Sequence, residues 1–256
     1  MSHPVLAAQL YTVREFTQTL ADFAASMHKV RQMGYTAVQV SGIGPISAAD
    51  VKKVVDDNGL TICITHIAFE RLTKDLPAVI DEHRLWSCRH VAVGSMPASY
   101  RSAGLEGFQR FAKDATEIGR KLHDAGLSFS YHNHSFEFVR FDGHTGLEII
   151  YNESDPAFLK AELDTYWVQH GGADPAQWIR RMKERLPVVH LKDMVIVDDR
   201  QAMAEIGEGN MNWQAILEAC RESGVEWYAV EQDVCRRDPF DSLAISYRNL
   251  HQMGLN

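Results

Sequence analysis

The sequence predicts an α/β fold in which residues 1–256 form one domain, a single (β/α)₈ TIM barrel. Eight short apolar runs are each followed by a stretch with helical periodicity, and this alternation is typical of parallel strands buried beneath helices. The chain has 256 residues, close to the usual length of such a barrel. The alternative, a doubly wound open sheet, would carry a glycine-rich phosphate loop after its first strand. No such loop follows VLAAQL at 5–10.

The predicted strands coincide with the apolar runs, because strands covered on both faces contain few polar residues. Strands that alternate with helices in this way are expected to lie parallel to one another. In chain order the predicted strands are VLAAQL (5–10), TAVQVSG (36–42), LTICITH (60–66), HVAVG (90–94), LSFSYHNH (127–134), FLKAELD (158–164), PVVHLKD (187–193) and EWYAVEQD (226–233).

The predicted helices are amphipathic segments between these runs, and they include residues 20–34, 107–126, 213–224 and 241–254. Each segment ends in a glycine, the residue that most readily adopts the left-handed conformation that closes many helices. These terminal glycines are Gly34, Gly126, Gly224 and Gly254.

The composition restricts the classes of function. A net charge of −8 argues against a nucleic-acid partner, since such proteins usually present a basic face. No apolar run reaches the roughly 18–20 residues of a membrane span, and the N-terminus lacks the pattern of a signal peptide. We therefore expect a cytoplasmic protein whose thiols are free. No C-x-x-C spacing, typical of zinc ribbons and redox sites, occurs among Cys63, Cys88, Cys220 and Cys235.

Polar side chains concentrate at the C-terminal ends of strands five to eight. This is the end of a TIM barrel where catalysis takes place. Carboxylates and imidazoles brought together there need a cation or raised pKa values, and this donor set suits Mn²⁺, Co²⁺, Zn²⁺ or Mg²⁺. Taken singly, each residue has an ordinary alternative, such as a helix cap for an aspartate. The residues are His132, Asn133, His134 and Glu137, then Glu162 and Asp164, then His190, Lys192 and Asp193, then Glu231 and Asp233.

Further candidates lie on the strand-five motif and in two loops. His132 and His134 are two residues apart on one strand, so both point to the same side and either is a ligand, a general base or a packed interior residue. Trp167 would stack on a sugar ring or pack beneath a loop. Glu208, within IGEGNMNW, would reach over the barrel mouth or lie in a surface turn that Asn212 follows as the cap of the next helix.

The chain resembles the xylose-isomerase-like TIM-barrel superfamily of sugar phosphate isomerases and epimerases. The motifs that carry the resemblance are QLYTVR, YHNHSFEF, ELDTYW, HLKD, GEGNMNW and VEQD, and they span nearly the whole chain. The resemblance implies one divalent metal ion at the ends of strands five to eight. Its ligands would be Asp164, His190, Glu231 and Glu137, with His134 or His132 as alternatives to Glu137.

The implied activity is that of a metal-dependent isomerase or epimerase, which moves a proton next to the carbonyl of a sugar or keto-sugar through a metal-stabilised enediolate. Phosphorylated substrates are included. Glu231 would act on one face of the substrate, and His132 or His134 on the other. The residues expected to bind the substrate are Arg14, His66, Trp167, Lys192 and Glu208.

Three alternatives remain beside this interpretation. A metal-dependent lyase or dehydratase on inosose or 3-keto-glycoside substrates would use the same ligands. An endonuclease of the same superfamily needs a three-zinc cluster with more ligands on the early strands, and the acidic charge balance disfavours it. A sugar-binding module without activity would lack the metal. The expected partner is a small sugar, with no nucleic acid and no membrane, and a homo-oligomer is left open.

Overall fold

The computed structural model describes residues 4–255, and the outermost residues of the predicted domain, 1–3 and 256, lie outside this range. The barrel prediction is confirmed: eight parallel strands close on themselves in the order β1-β12-β9-β8-β5-β4-β3-β2. The strands in the described chain are β1 (Val5–Gln9), β2 (Ala37–Val40), β3 (Thr61–His66), β4 (His90–Val93), β5 (Ser128–His132), β6 (Arg140–Phe141), β7 (His144–Thr145), β8 (Leu159–Asp164), β9 (Val188–Leu191), β10 (Asp193–Val197), β11 (Arg200–Ala204) and β12 (Trp227–Val230). Each barrel strand falls inside one of the predicted apolar runs.

Helices cover the outside of the barrel. They are α1 (Leu20–Gln32), α2 (Ala48–Asp57), α3 (Phe69–Lys74), α4 (Leu76–Trp86), α5 (Ala98–Arg101), α6 (Gly104–Asp124), α7 (Gly146–Glu153), α8 (Thr165–His170), α9 (Pro175–Arg181), α10 (Trp213–Ser223) and α11 (Pro239–Gln252), with 3₁₀ turns at Leu10–Phe16 and Phe136–Phe138. Among the described residues, no helix combines the length and apolar character needed to cross a membrane.

The predicted helix ends are also confirmed. The four predicted segments correspond to α1, α6, α10 and α11. The glycine that follows each of them has a positive φ, between 68° at Gly224 and 112° at Gly34, as expected for a left-handed residue after a helix. The four cysteines are free, and three of them are buried.

The inside of the barrel has an apolar layer and a polar layer. Side chains alternate across a strand, so residues two apart on one strand share the interior. Small apolar side chains, including those of Ala7, Ala37 and Ala229, form a separate buried cluster made of strand residues. Two positions further along β1, β2 and β12 stand Gln9, Gln39 and Glu231, all buried. The polar layer therefore lies at the C-terminal ends of the strands.

Two hairpins interrupt the alternation of strands and helices, and the sequence analysis did not include them. The longer one pairs β10 with β11 in antiparallel register directly after β9. Its turn residues Asp198 and Asp199 both have left-handed φ values, 48° and 59°, as in the two-residue turns that suit hairpins. The shorter one joins β6 to β7.

Candidate active site and metal-binding cluster

A cavity of about 510 Å³ opens at the C-terminal ends of the barrel strands. One side of it is polar and includes three of the predicted site residues on or after β5 and β12, namely His132, His134 and Glu231. His66, at the end of β3, also lines it. The sequence-based placement of the chemistry at this end of the barrel agrees with the position of the cavity.

Four buried side chains lie close together, those of His132, Asp164, His190 and Glu231, and two of them, His132 and Glu231, line the cavity. Each of the four offers one ligand atom, and these atoms all lie within 4.8 Å of one another. His132 Nε2 is 3.4 Å from Asp164 Oδ2, and His190 Nδ1 is 2.9 Å from Glu231 Oε2. Ligands that hold one ion at about 2.0–2.2 Å stand roughly 3–4 Å apart. Two imidazoles and two carboxylates at this spacing fit a divalent metal ion.

Asp164 has two functions in this structure, one for each oxygen. Oδ1 accepts a hydrogen bond of 2.9 Å from the backbone N–H of Trp167 and so caps helix α8. Oδ2 faces His132 and lies 3.9 Å from His190 Nδ1. The helix-cap interpretation and the metal-ligand interpretation of the sequence are therefore compatible, because a carboxylate has two oxygens.

Lys192 supplies the positive charge that these carboxylates contact in the structure. Its side chain is fully buried, and its Nζ lies 2.9 Å from both Asp164 Oδ2 and Glu231 Oε2 and 2.6 Å from Asp233 Oδ2. Burial alone would lower the pKa of Lys192, but the three carboxylates hold it well above its ordinary value. Lys192 had been expected to bind substrate, and the structure instead places its ammonium group among acidic side chains below the cavity.

The buried charges of the cluster stabilise one another. Burial raises the pKa of Glu231, but Lys192 and His190 hold it well below its ordinary value. Burial lowers the pKa of His190, but Glu162 and Glu231 raise it to about 10. Both ring nitrogens of His190 face carboxylates, so in the absence of a metal the ring is an imidazolium.

Glu162, which the sequence analysis noted at the end of strand six but did not assign to the site, forms a second buried group with His66 and His190. It is fully buried, and its oxygens accept hydrogen bonds from Gln39 Nε2 at 2.9 Å, His66 Nε2 at 2.8 Å and His190 Nε2 at 3.0 Å. The two-residue spacing to Asp164 was the available signal, since it puts both side chains inside the barrel. The carboxylate fixes which nitrogen of each histidine carries a proton.

Glu137 lies apart from the cluster, contrary to its expected role as the fourth ligand. One carboxylate oxygen accepts a hydrogen bond from the hydroxyl group of Tyr131, and the other accepts one of 2.9 Å from the backbone N–H of His134. Burial raises the pKa of Glu137 to about 7. Both oxygens are thus occupied inside the strand-five motif, and the geometry favours His132, one of the two alternatives.

His134 lines the cavity beyond the end of β5. Its Nδ1 is buried and has no hydrogen-bond partner within the described residues. Burial, together with the charges of His132 and Lys192, lowers the pKa of His134 to about 3. The ring is therefore neutral at physiological pH, and it lies at the cavity surface without being one of the four clustered residues.

Besides Lys192, three more predicted substrate-binding residues do not line this cavity. Arg14 lines a separate cavity beside α11 and donates to the carbonyls of Tyr11 and Asp233. The Trp167 ring packs 5.4 Å from the ring of His134, in agreement with the packing alternative. Glu208 is exposed on its loop, as expected for a surface turn.

The loop containing Glu208 is organised by Asp193, which is fully buried. The carboxylate of Asp193 accepts the backbone N–H groups of Gly207 at 2.9 Å and Gly209 at 3.1 Å, and the indole N–H of Trp213 at 2.7 Å. A Cβ atom at Gly209 would lie 2.4 Å from the Asp193 carboxylate, so only glycine fits there. Asn212 caps α10, as predicted, by accepting the N–H of Ala215. The GEGNMNW motif is thus a loop wrapped around one buried charge.

Comparisons with known proteins agree with the fold. The sequence model of a family described as "Xylose isomerase-like TIM barrel" matches residues 27–239. An inosose dehydratase from Bacillus anthracis is 23% identical over 154 residues, which are 53% of this chain and 51% of that protein. The chain thus matches about half the length of this curated relative.

Solved structures resemble the chain over nearly its whole length. A sugar phosphate isomerase/epimerase from Parabacteroides distasonis is 25% identical with a TM-score of 0.81, covering 100% of this chain and 96% of that one. An L-ribulose 3-epimerase is 18% identical with a TM-score of 0.71, covering 100% of this chain and 95% of that one. At 18% identity, the similarity to the L-ribulose 3-epimerase concerns the fold alone.

Proposed function

We propose that this chain, which belongs to the xylose isomerase-like TIM-barrel family, is a metal-dependent isomerase or epimerase of a sugar or keto-sugar. The observation that carries the proposal is the convergence of His132, Asp164, His190 and Glu231 beside an open cavity that His132 and Glu231 line. A divalent cation held by these four residues would supply a Lewis acid that polarises a carbonyl oxygen. The substrate would enter from the cavity.

The two histidines of this group are oriented to present a bare nitrogen to a cation. His132 Nδ1 lies 3.0 Å from the carbonyl oxygen of Gly94 and donates to it, so Nε2 is left as the ligand. His190 Nε2 donates to Glu162, so Nδ1 is the ligand once it loses its proton. Hydrogen bonds of this kind to the second ring nitrogen orient most metal-binding histidines.

Glu231 and His134 are the proposed acid–base residues on the two faces of the substrate. Glu231 Oε2 belongs to the clustered group, while Oε1 accepts a hydrogen bond of 3.1 Å from Gln9 Nε2, and both residues line the cavity. We assign proton removal to Oε1. His134, a neutral ring with an unpartnered Nδ1, would exchange the proton on the opposite face, because its strand lies across the barrel from β12. His132 keeps the ligand role.

A dehydratase is the second candidate, because the curated relatives are named inosose dehydratases. Glu231 would then remove the same proton, and the hydroxyl group on the neighbouring carbon would leave as water with a proton returned by Glu231. The two activities differ in the mass of the product, since only the dehydratase releases water.

The proposal is tested by solvent-deuterium exchange over a panel of keto-sugars, on protein purified without chelators and supplied with Mn²⁺. We expect exchange at a carbon next to a carbonyl in the wild type, its loss in Glu231→Gln, and retention of wild-type exchange in Glu208→Gln. The control makes the same chemical change on an exposed carboxylate outside the cavity. Full exchange in Glu231→Gln, or no metal bound by the wild type, would refute the proposal.

A further inference from the structure

We infer that the substrate has two parts, a hydroxylated carbonyl part at the four-residue group and an apolar aryl or alkyl substituent that lies against the loops after β3 and β4. This inference rests on the proposed function for the first part and on the lining of the cavity for the second. It names a substrate class: a sugar derivative with an apolar substituent instead of a bare, fully hydroxylated sugar.

The cavity is divided into a polar side and an apolar side. The polar side comes from β1, β5 and β12, and the mainly apolar side comes from two short segments, residues 67–70 and 93–97, in which Glu70 and Ser95 are the polar members of the lining. Ile67, Phe69 and Val93 are buried there, and Pro97 is half-buried. His66, at the end of β3, directly precedes Ile67 and also lines the cavity, so the apolar wall begins immediately beside a polar residue.

The apolar wall is rigid enough to act as a binding surface. The ring of Phe69 packs edge-on against Tyr100 at 5.6 Å and also contacts Phe111 at 5.4 Å. Gly94 keeps this wall close to the histidines, since a Cβ atom there would lie 2.7 Å from His66 Nδ1. The wall therefore does not depend on a mobile loop.

The apolar side continues beyond the main cavity. A second cavity of about 340 Å³ shares Ser41, His66 and Ile67 with the first. Its walls include the apolar side chains of Ile43, Ile46 and Trp86. A substituent larger than one ring would thus find further apolar surface past Ile67.

A bare sugar is a poor occupant of this wall. Hydroxyl groups facing the side chains of Ile67, Phe69 and Val93 would leave water with no hydrogen-bond partner on those side chains, which costs free energy for each unpaired group. In these two segments, only Glu70 and Ser95 contribute polar side chains to the cavity lining. An aryl or alkyl group in the same position gains free energy by leaving water. The observed lining therefore favours the substituted sugar.

The test compares two probes that differ only in this substituent, 4-nitrophenyl β-D-glucopyranoside and methyl β-D-glucopyranoside, with 4-nitrophenol as a third probe. Binding is measured by calorimetry and saturation-transfer NMR on the full chain with Mg²⁺, without reference to turnover. We expect the aryl glucoside to bind at least tenfold more tightly than the methyl glucoside, by comparison with the roughly 10–200-fold that one methylene gives in an apolar pocket.

The variant Ala68→Asp should abolish this preference. Ala68 is exposed, lines the cavity, and stands at the N-cap of α3 without a side-chain hydrogen bond, where aspartate favours the helix. The substitution therefore introduces a charge at the apolar side without weakening the fold. The control Ala98→Asp makes the same change at the start of α5, outside the cavity lining, and should keep the aryl preference.

The outcomes distinguish this inference from the proposed function. An aryl preference that Ala68→Asp removes, found together with a negative exchange experiment, would support the apolar subsite and refute the metal-dependent activity. Equal affinities of the wild type for the two glucosides, no binding of any aryl probe at millimolar concentration, or an unchanged preference in Ala68→Asp would each overturn the inference.

Discussion

Replacing Lys192 by methionine removes the buried ammonium group and keeps most of the side-chain volume. In the structure this group contacts Asp164 and Glu231, which belong to the four-residue cluster, and Asp233, which does not. A divalent ion at the cluster would contact the first two carboxylates itself. Lys192 and the metal are therefore competitors for the same negative charge, and the variant should behave differently with and without metal.

The size of the effect follows from the burial of Lys192, Asp164 and Glu231, whereas the side chain of Asp233 is 26% exposed. Removing one partner of a buried ion pair costs about 3–5 kcal/mol. Unfolding entropy of about 2.1 cal/mol/K per residue over 256 residues converts this loss into a decrease in Tm of about 6–9 °C for the metal-free variant. With metal bound the decrease should be smaller. A difference of about 1.4–2.8 kcal/mol between the two states corresponds to about 10–100-fold tighter metal binding by the variant.

The measurement is a thermal unfolding series for wild type and Lys192→Met, each after chelation and at several Mn²⁺ concentrations. A separate competition with a chelator gives the metal affinity. The Lys183→Met variant is a suitable control, because Lys183 is exposed and the substitution removes the same charge outside the cluster. If Lys192→Met binds metal no more tightly than wild type, or binds it more weakly, the competition argument is wrong.

Three further predictions concern other buried charges. Glu162→Gln should weaken metal binding by about 10–100-fold, because the acceptor that orients the ring of His190 loses its negative charge, whereas Glu137→Gln should retain the affinity in a chelator competition. Asp193→Asn should lower the Tm by about 3–6 °C, because the loop N–H groups lose a charged acceptor, with metal affinity unchanged; an unaltered Tm would contradict this. Burial lowers the pKa of His90 to about 4, so its neutral form stabilises the fold above about pH 6.5 and this stability is lost as the pH falls towards 4. The variant His90→Gln should lose less Tm than wild type between pH 7 and 4, and equal acid sensitivity would count against this reasoning.

The barrel could be predicted from the sequence because burial on both faces leaves a simple pattern. Each apolar run contains one strand, since polar residues are few within the runs. The hairpin of β10 and β11 was missed although its turn, Asp198–Asp199, carries left-handed residues. Its strands are partly exposed, so they lack the apolar continuity that identified the others.

Three of the clustered residues, Asp164, His190 and Glu231, could be predicted because they close consecutive strands of a parallel barrel. Glu137 could not be placed from the sequence. The chain turns into a 3₁₀ segment after β5, and this turn directs the carboxylate towards Tyr131 and away from the cavity. The contacts of Lys192 depend on how far β8, β9 and β12 are shifted along the barrel axis relative to one another. No local sequence pattern encodes this shift.

The capping of α8 by Asp164 gives the site an optical reporter. The residue whose N–H is capped is Trp167, and its indole ring lies 5.4 Å from the ring of His134 and 5.6 Å from the Nζ of Lys192. A cation that displaces the Lys192 ammonium, or a substrate that contacts His134, changes the charge and polarity beside this chromophore. Emission from Trp167 can therefore report occupancy of the site in a cuvette, with no label attached and before any substrate has been identified.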